Sequence, residues 1–270
     1  MNQNFRRHPM SEKRVVYAMP GMEAVRVLRD EPYKVTEAGA LTMDVYYPHD
    51  ANPGRPTPAV LFVTGFSDIG AERMLGSTFK DMASFVSWAQ LAAASGLVGV
   101  TYVNRDPGDV DDALRHLQQQ AVSLGIDSTR IGVWACSGHG PNALSVLVRH
   151  GRENLRCAAL LYPYTFDLGD STGVSDAATR FGFVTPAIGR SMGELPRDLP
   201  LFIARAGRDD MPGLNEALDR CVAEALALNL PVTVVNYAAG PHAFDVVDNG
   251  KTSRDIVSQL LAFLQCHLLA

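Results

Sequence analysis

A chain of 270 residues with 47% hydrophobic and 20% charged side chains has ordinary globular composition, with room for one large α/β domain or two small ones. Its formal charge of −5 argues against nucleic acid or an anionic membrane surface as a partner. The longest apolar runs fall far short of a membrane span, and the polar start has no signal-peptide h-region. The four cysteines (Cys136, Cys157, Cys221 and Cys266) show no CxxC or metal-ligand spacing. They read as reduced thiols in a cytoplasmic protein that holds no metal. Arg6, Arg7, Lys13 and Arg14 read as a solvated basic tail.

In chain order, residues before about Tyr33 are weakly patterned, and Thr42–Tyr47 is the first strand, ended by Pro48. After the polar turn Asn52-Pro53-Gly54-Arg55-Pro56, the apolar run Ala59–Thr64 reads as a strand buried on both faces. A helix over Phe79–Ser95 stops at Gly96, and Leu97–Val103 is the next central strand. A helix starts at Asp109 or Asp111 and runs to about Leu124; Ile131–Trp134 is a strand and Asn142–His150 a helix. Strands over Ala158–Tyr162, Leu201–Arg205 and Val232–Asn236 follow, with helices over Asn215–Leu228 and Ser253–Leu269. This alternation predicts an α/β fold, a mostly parallel central sheet with helices on both faces. No linker or repeat divides residues 1–270, which read as one domain. The stretch Tyr164–Arg197 breaks the rhythm with polar residues, scattered glycines and no clear strand. A loop this long reads either as a cap or substrate-pocket insertion or as a surface excursion.

Four pieces stand where acyl-transfer chemistry needs them. In Ile131–Gly140 an apolar strand runs into Ala135-Cys136-Ser137-Gly138-His139, and a helix begins just after. A strand that turns sharply into a helix exposes the residue at its apex beside the free N–H groups of the helix N-terminus. Ser137 is therefore the candidate nucleophile. Thr64-Gly65-Phe66-Ser67 directly follows a buried strand, and such a loop supplies one oxyanion donor. The predicted donors are the backbone N–H groups of Phe66 and Gly138, with Ser67 and His139 as candidate substrate-binding residues. His242 lies between the last strand and the last helix and is the candidate base. His116, His150 and His267 sit on helices, and His8 and His49 in tail and turn contexts. A carboxylate after the Leu201–Arg205 strand would orient the imidazole, and Asp209 and Asp210 both qualify. Pro212 favours Asp209; the distance from Gly207 favours Asp210.

Taken together, the chain resembles the α/β-hydrolases, and within them dienelactone-hydrolase-like and small serine esterase proteins. The resemblance runs from about Leu41 to the C-terminus. It rests on Thr64-Gly65-Phe66, Ala135-Cys136-Ser137-Gly138, Gly207-Arg208-Asp209-Asp210 and Pro241-His242-Ala243-Phe244-Asp245. It implies the α/β-hydrolase fold, a small-molecule ester substrate, and hydrolysis through a covalent acyl-enzyme without cofactor or metal. The Ser–Asp–His chain order is the one expected of that fold.

Two positions depart from the pattern. Dienelactone hydrolases use cysteine, and Cys136 adjoins Ser137. A Cys136 apex would put bulky Trp134 two residues before it, whereas a Ser137 apex puts Ala135 there. His139 stands in place of the second glycine of G-x-S-x-G, either pointing to the pocket or filling a structural role eased by Gly140. The same residues admit a peptidase or amidase, or a non-catalytic binding protein on the same scaffold. Met74, Phe166, Phe181 and Phe183 would make the pocket apolar if they faced inward. The oligomeric state stays open, a homodimer included.

Overall fold

A computed structural model describes residues 7–270 apart from 53, 152 and 154. Arg6 of the expected tail and Pro53 of the expected turn lie outside the described residues. Among the described residues eight strands form one sheet: β1 (Arg26–Thr36), β2 (Gly39–Tyr47), β3 (Thr57–Phe62), β4 (Val98–Tyr102), β5 (Ile126–Cys136), β6 (Leu155–Leu161), β7 (Leu201–Arg208) and β8 (Val232–Pro241). The spatial order is β1-β2-β4-β3-β5-β6-β7-β8. β1 and β2 pair antiparallel, as do β2 and β4, while β4, β3, β5, β6, β7 and β8 run parallel. The helices are α1 (Asp68–Leu75), α2 (Ala83–Ala94), α3 (Val110–Gln119), α4 (Ala121–Leu124), α5 (Gly140–His150), α6 (Gly173–Phe181), α7 (Leu214–Ala227), α8 (Phe244–Val247) and α9 (Lys251–Leu268).

Successive side chains of β3 point to opposite faces, and both faces are buried. Val60 and Phe62 pack with Trp88 and Leu91 of α2 and with Leu260 and Leu264 of α9. Ala59 and Leu61 pack on the other face with Leu114 of α3 and Leu144 of α5. A strand covered on both sides has no polar face to show, so its sequence is a continuous apolar run. At Gly99 of β4 a Cβ would stand 2.7 Å from the Ala89 carbonyl, so glycine lets α2 lie directly on the sheet.

The chain leaves β3 to form β4 on one side and returns to form β5 on the other. The strand order reverses there, opening a crevice at the carboxyl ends of β3 and β5 where ligands bind in such sheets. The Thr64-Gly65-Phe66 loop and Ser137 both lie at those ends.

Several expectations are corrected. The weakly patterned start holds β1, an edge strand exposed along much of its length and interrupted by two register shifts around Glu31 and Pro32. The basic side chains Arg7, Lys13 and Arg14 are exposed, but from His8 onward the segment is a packed strap and not a loose tail. Ser11 and Val15 are buried, Val15 N–H donates to Ser87 Oγ at 3.0 Å, and Arg14 donates to Gln90 at 2.7 Å. Just past the Thr64–Ser67 loop lies α1, for which no helix was expected, and the Tyr164–Arg197 stretch holds no strand among the described residues but contains α6. The single helix expected up to Leu124 breaks at Gln120 into α3 and α4. No helix among the described residues is long and apolar enough to cross a membrane.

Candidate active site

The end of β5 turns abruptly into a 3₁₀ turn over Ser137–His139 and then into α5. Ser137 has φ +48°, a left-handed conformation that costs a non-glycine residue energy and persists only where the surroundings enforce it. The surroundings here are tight. A Cβ on Gly65 would lie 2.4 Å from the Gly138 carbonyl, and one on Gly140 would lie 2.2 Å from the Tyr164 carbonyl. A Cβ on Gly138 would meet the rings of Phe66 at 2.8 Å and Phe183 at 2.9 Å. Ala135, two residues before the serine, is fully buried.

Ser137 Oγ lies 2.9 Å from His242 Nε2, and His242 Nδ1 lies 2.7 Å from Asp209 Oδ2. The Asp209 carboxylate is fully buried and the His242 side chain is 22% exposed. Asp209 Oδ1 also accepts the Met211 N–H at 3.0 Å, which fixes the carboxylate plane. With Nδ1–H donating to Asp209, Nε2 of a neutral imidazole is left to accept the serine proton. Asp210, the alternative acid, is exposed and accepts no imidazole N–H among the described residues.

The loop after β3 is pinned at almost every backbone group. Thr64 N–H donates to the Tyr102 hydroxyl at 3.3 Å, and Thr64 O accepts Asn142 Nδ2 at 2.7 Å. Gly65 N–H donates to His139 Nδ1 at 2.8 Å, and Gly65 O accepts the Val184 N–H at 2.8 Å. Phe66 O accepts Asn104 Nδ2 at 3.0 Å. The Phe66 N–H is left without a partner among the described residues, as is the Gly138 N–H beside it. Asn104 is itself clasped by Asp68, whose Oδ2 accepts the Asn104 N–H at 2.7 Å while Oδ1 accepts the Phe79 N–H at 2.7 Å. Burial pushes the Asp68 carboxyl up to about 6.

The two candidate substrate-binding side chains are engaged elsewhere. Ser67 caps α1, donating to Arg105 O at 2.6 Å and accepting the Ile69 N–H at 3.3 Å. His139 is buried among the rings of Phe66, Phe79 and Phe85, at 5.1, 4.8 and 5.4 Å between centroids. Burial lowers its pKa to about 3. Gly140 supplies the close approach one residue later. Cys136 is partly exposed beside Asp245 and Tyr162, and burial, with the neighbouring Asp245 carboxylate, pushes its thiol well above the usual range. Such a thiol is a poor source of thiolate. Of the four apolar candidates for the pocket, Phe183 reaches the elbow, Phe166 sits in the core, Phe181 is partly buried and Met74 is 58% exposed.

The sequence marked Asp245 only as the end of the Pro241–Asp245 motif and gave no sign of its partners. The fully buried Asp245 accepts the Tyr162 hydroxyl on Oδ1 and the Trp88 Nε1–H on Oδ2 at 2.8 Å. Tyr162, at φ +36°, places its ring edge-on to His242 with centroids 4.9 Å apart. The partners lie on α2, at the end of β6 and after β8, so no local pattern connects them. No group of three or more His, Cys, Asp or Glu among the described residues is arranged to hold a metal ion.

No family model matches the sequence, and no curated protein matches it either. Solved structures do. The chain is similar to the esterase LipW from Mycobacterium marinum, at 17% identity and TM-score 0.67, over 91% of this chain and 83% of that one. It is similar to a thermostable esterase from Pseudomonas putida, at 16% identity and TM-score 0.65, over 92% and 84%. It is also similar to Thermogutta terrifontis esterase 2, solved phosphoramylated by tabun, at 18% identity and TM-score 0.64, over 93% and 95%. Together with the sheet order these define the class: the chain has the α/β-hydrolase fold.

Proposed function

We propose that this protein is a serine hydrolase that cleaves small carboxylic esters or lactones, with Ser137 as nucleophile, His242 as base and Asp209 as the orienting acid. The observation that carries the reading is the unbroken chain from buried Asp209 through His242 to Ser137, at 2.7 and 2.9 Å, ending beside two unengaged amides. The esterase character of the similar solved structures points the same way. The nearer kinship to dienelactone-hydrolase-like enzymes rests on the sequence motifs. In this reading serine replaces their cysteine, because the Cys136 thiol is held protonated and off the apex.

Ser137 Oγ attacks the ester carbonyl carbon while His242 Nε2 takes the hydroxyl proton. The carbonyl π pair moves onto oxygen, which accepts hydrogen bonds from the Phe66 and Gly138 N–H groups. Asp209 holds the tautomer and stabilises the imidazolium. The oxyanion collapses, the bond to the alcohol oxygen breaks, and His242 returns its proton to that oxygen. Water then repeats the sequence on the acyl-serine, releasing the acid and Ser137. The segment Tyr164–Arg197 serves as the cap in this scheme. What supports that role is Phe183 against the elbow and the Val184 N–H on the Gly65 carbonyl.

Turnover of p-nitrophenyl acetate tests the reading. Wild type and Cys136→Ala hydrolyse it, and Ser137→Ala keeps the fold but loses activity. Undiminished turnover in Ser137→Ala, or loss in Cys136→Ala alone, overturns it.

A further inference from the structure

We propose that His139 is a positioning residue that sets the oxyanion donor through Gly65 rather than by touching substrate. The inference rests on the reading of Ser137 as nucleophile and of the Phe66 N–H as donor. It concerns an elbow residue that the mechanism leaves unused.

Two requirements conflict at Gly65. Contact with the Gly138 carbonyl leaves no room for a Cβ there, so the position must be glycine. Glycine is also the residue with the widest backbone freedom. The donor peptide, whose N–H belongs to Phe66, begins at that Gly65 Cα. An untethered Gly65 would let the donor swing, and a donor helps only if it is in place before charge develops.

Two adjoining peptide planes are held in place of that freedom. The Thr64–Gly65 plane is fixed at both edges, its carbonyl by Asn142 at 2.7 Å and its N–H by His139 Nδ1 at 2.8 Å. The Gly65–Phe66 plane is fixed on its carbonyl edge by the Val184 N–H at 2.8 Å. In a trans peptide the N–H points opposite to the C=O, so that bond turns the Phe66 N–H away from Val184. Among the described residues, the donor is the one polar group of Thr64–Phe66 left unspent. Among the described residues His139 is the one side chain of Ala135–His139 that bonds this loop, and with Asn142 of α5 it ties the donor loop to the strand and helix that carry Ser137.

The ring suits the task. Phe66, Phe79 and Phe85 enclose it, which fixes its orientation. Only a neutral imidazole offers an acceptor at Nδ1. Burial lowers its pKa to about 3, so the acceptor persists at every pH where the enzyme would work. A glycine at this position would offer no side-chain acceptor.

Two substitutions separate tether from packing. His139→Asn puts an amide oxygen close to the place of Nδ1, and His139→Phe keeps the aromatic filling with no acceptor. Three quantities are read: kcat and KM for p-nitrophenyl acetate, affinity for a trifluoromethyl ketone, and amide exchange of the peptide spanning Gly65. The ketone accepts Ser137 Oγ at its carbonyl carbon, the serine proton passes to His242, and the resulting alkoxide stays at the donors. His139→Phe lowers kcat about 10- to 100-fold with KM within about twofold, and weakens the ketone by a similar factor. It also speeds exchange at Gly65. His139→Asn restores all three to within about threefold of wild type.

Equal losses in the two variants, a change in KM alone, or unaltered kcat and exchange in His139→Phe would overturn the proposal. Should His139→Phe fail to fold, His139→Met is read on the same scales. A wild type that hydrolyses no ester yet shows the exchange pattern overturns the nucleophile reading and leaves the tether standing.

Discussion

The two loops that flank Ser137 are built on opposite plans. The Thr64–Phe66 loop is held through its own backbone by Tyr102, Asn142, His139, Val184 and Asn104, and one N–H is left over. The His242 arm carries a side chain that is 22% exposed, and its anchorage comes from below. Ala243 takes a left-handed φ of +56°, and Asp245 pins the turn to Trp88 and Tyr162. In the proposed mechanism the difference follows from the chemistry each would perform. An oxyanion donor works by being immobile before charge appears. A proton carrier must accept and release, so its ring needs only an oriented tautomer and access to the leaving group.

The comparison is broken most severely on the proton-carrying side. His242→Ala lowers kcat by about 10⁶-fold and Asp209→Asn by about 10⁴-fold, while Asp210→Asn stays within about twofold, all read on p-nitrophenyl acetate. A large loss in Asp210→Asn would move the acid. On the donor side, Gly65→Ala forces the loop off the elbow, because its Cβ would lie 2.4 Å from the Gly138 carbonyl. It lowers kcat by about 100-fold with KM little changed. A Gly65→Ala enzyme of normal kcat would show the donor is elsewhere.

Stability sharpens the contrast further. Tyr162→Phe removes one of two donors from the buried Asp245 carboxylate and costs about 1–3 kcal/mol in urea unfolding. Because it acts on the anchorage and not on the ring, kcat changes by less than about threefold. The His139 tether predicts a pH effect. Its imidazole is neutral in the folded state down to about 3 but protonates below 6.5 once unfolded. As pH falls through 6.5 the unfolded state binds a proton that the folded state refuses, and stability is lost progressively to about pH 3. The loss reaches about 2 kcal/mol near pH 5 and is absent in His139→Asn. Asp68 runs the other way, since its folded pKa is raised to about 6 from 3.8, so its contribution falls as pH rises across that interval. Taking the difference between wild type and His139→Asn by urea unfolding at each pH cancels Asp68 and isolates the imidazole.

Burial decided which parts of this arrangement could be read from sequence. β3, β4 and the inner part of β5 are covered on both faces, so their apolar runs stand out. β1 does not, because an edge strand with one face in water tolerates Pro32, bulges and charges. α1 is eight residues long with a largely polar surface, so the capping Ser67 ahead of Asp68 was its main local sign. Ser137, His242 and the two aspartates were legible through chain order, but the choice of Asp209 depends on how the turn after β7 aims each carboxylate. The fate of the His139 ring depends on Phe79 and Phe85, and the partners of Asp245 lie 157 and 83 positions away. Such long-range pairings leave no periodicity or spacing for a sequence reading to find.

The central claim is that Ser137 is an activated nucleophile facing a set of preformed donors. Incubation of the wild type with a fluorophosphonate at neutral pH, followed by peptide mass mapping, tests it most directly. The account predicts one phosphonyl adduct, on Ser137, with labelling abolished in Ser137→Ala and strongly slowed in His242→Ala. An adduct on Cys136 or any other residue, or a wild type that stays unlabelled, would contradict it.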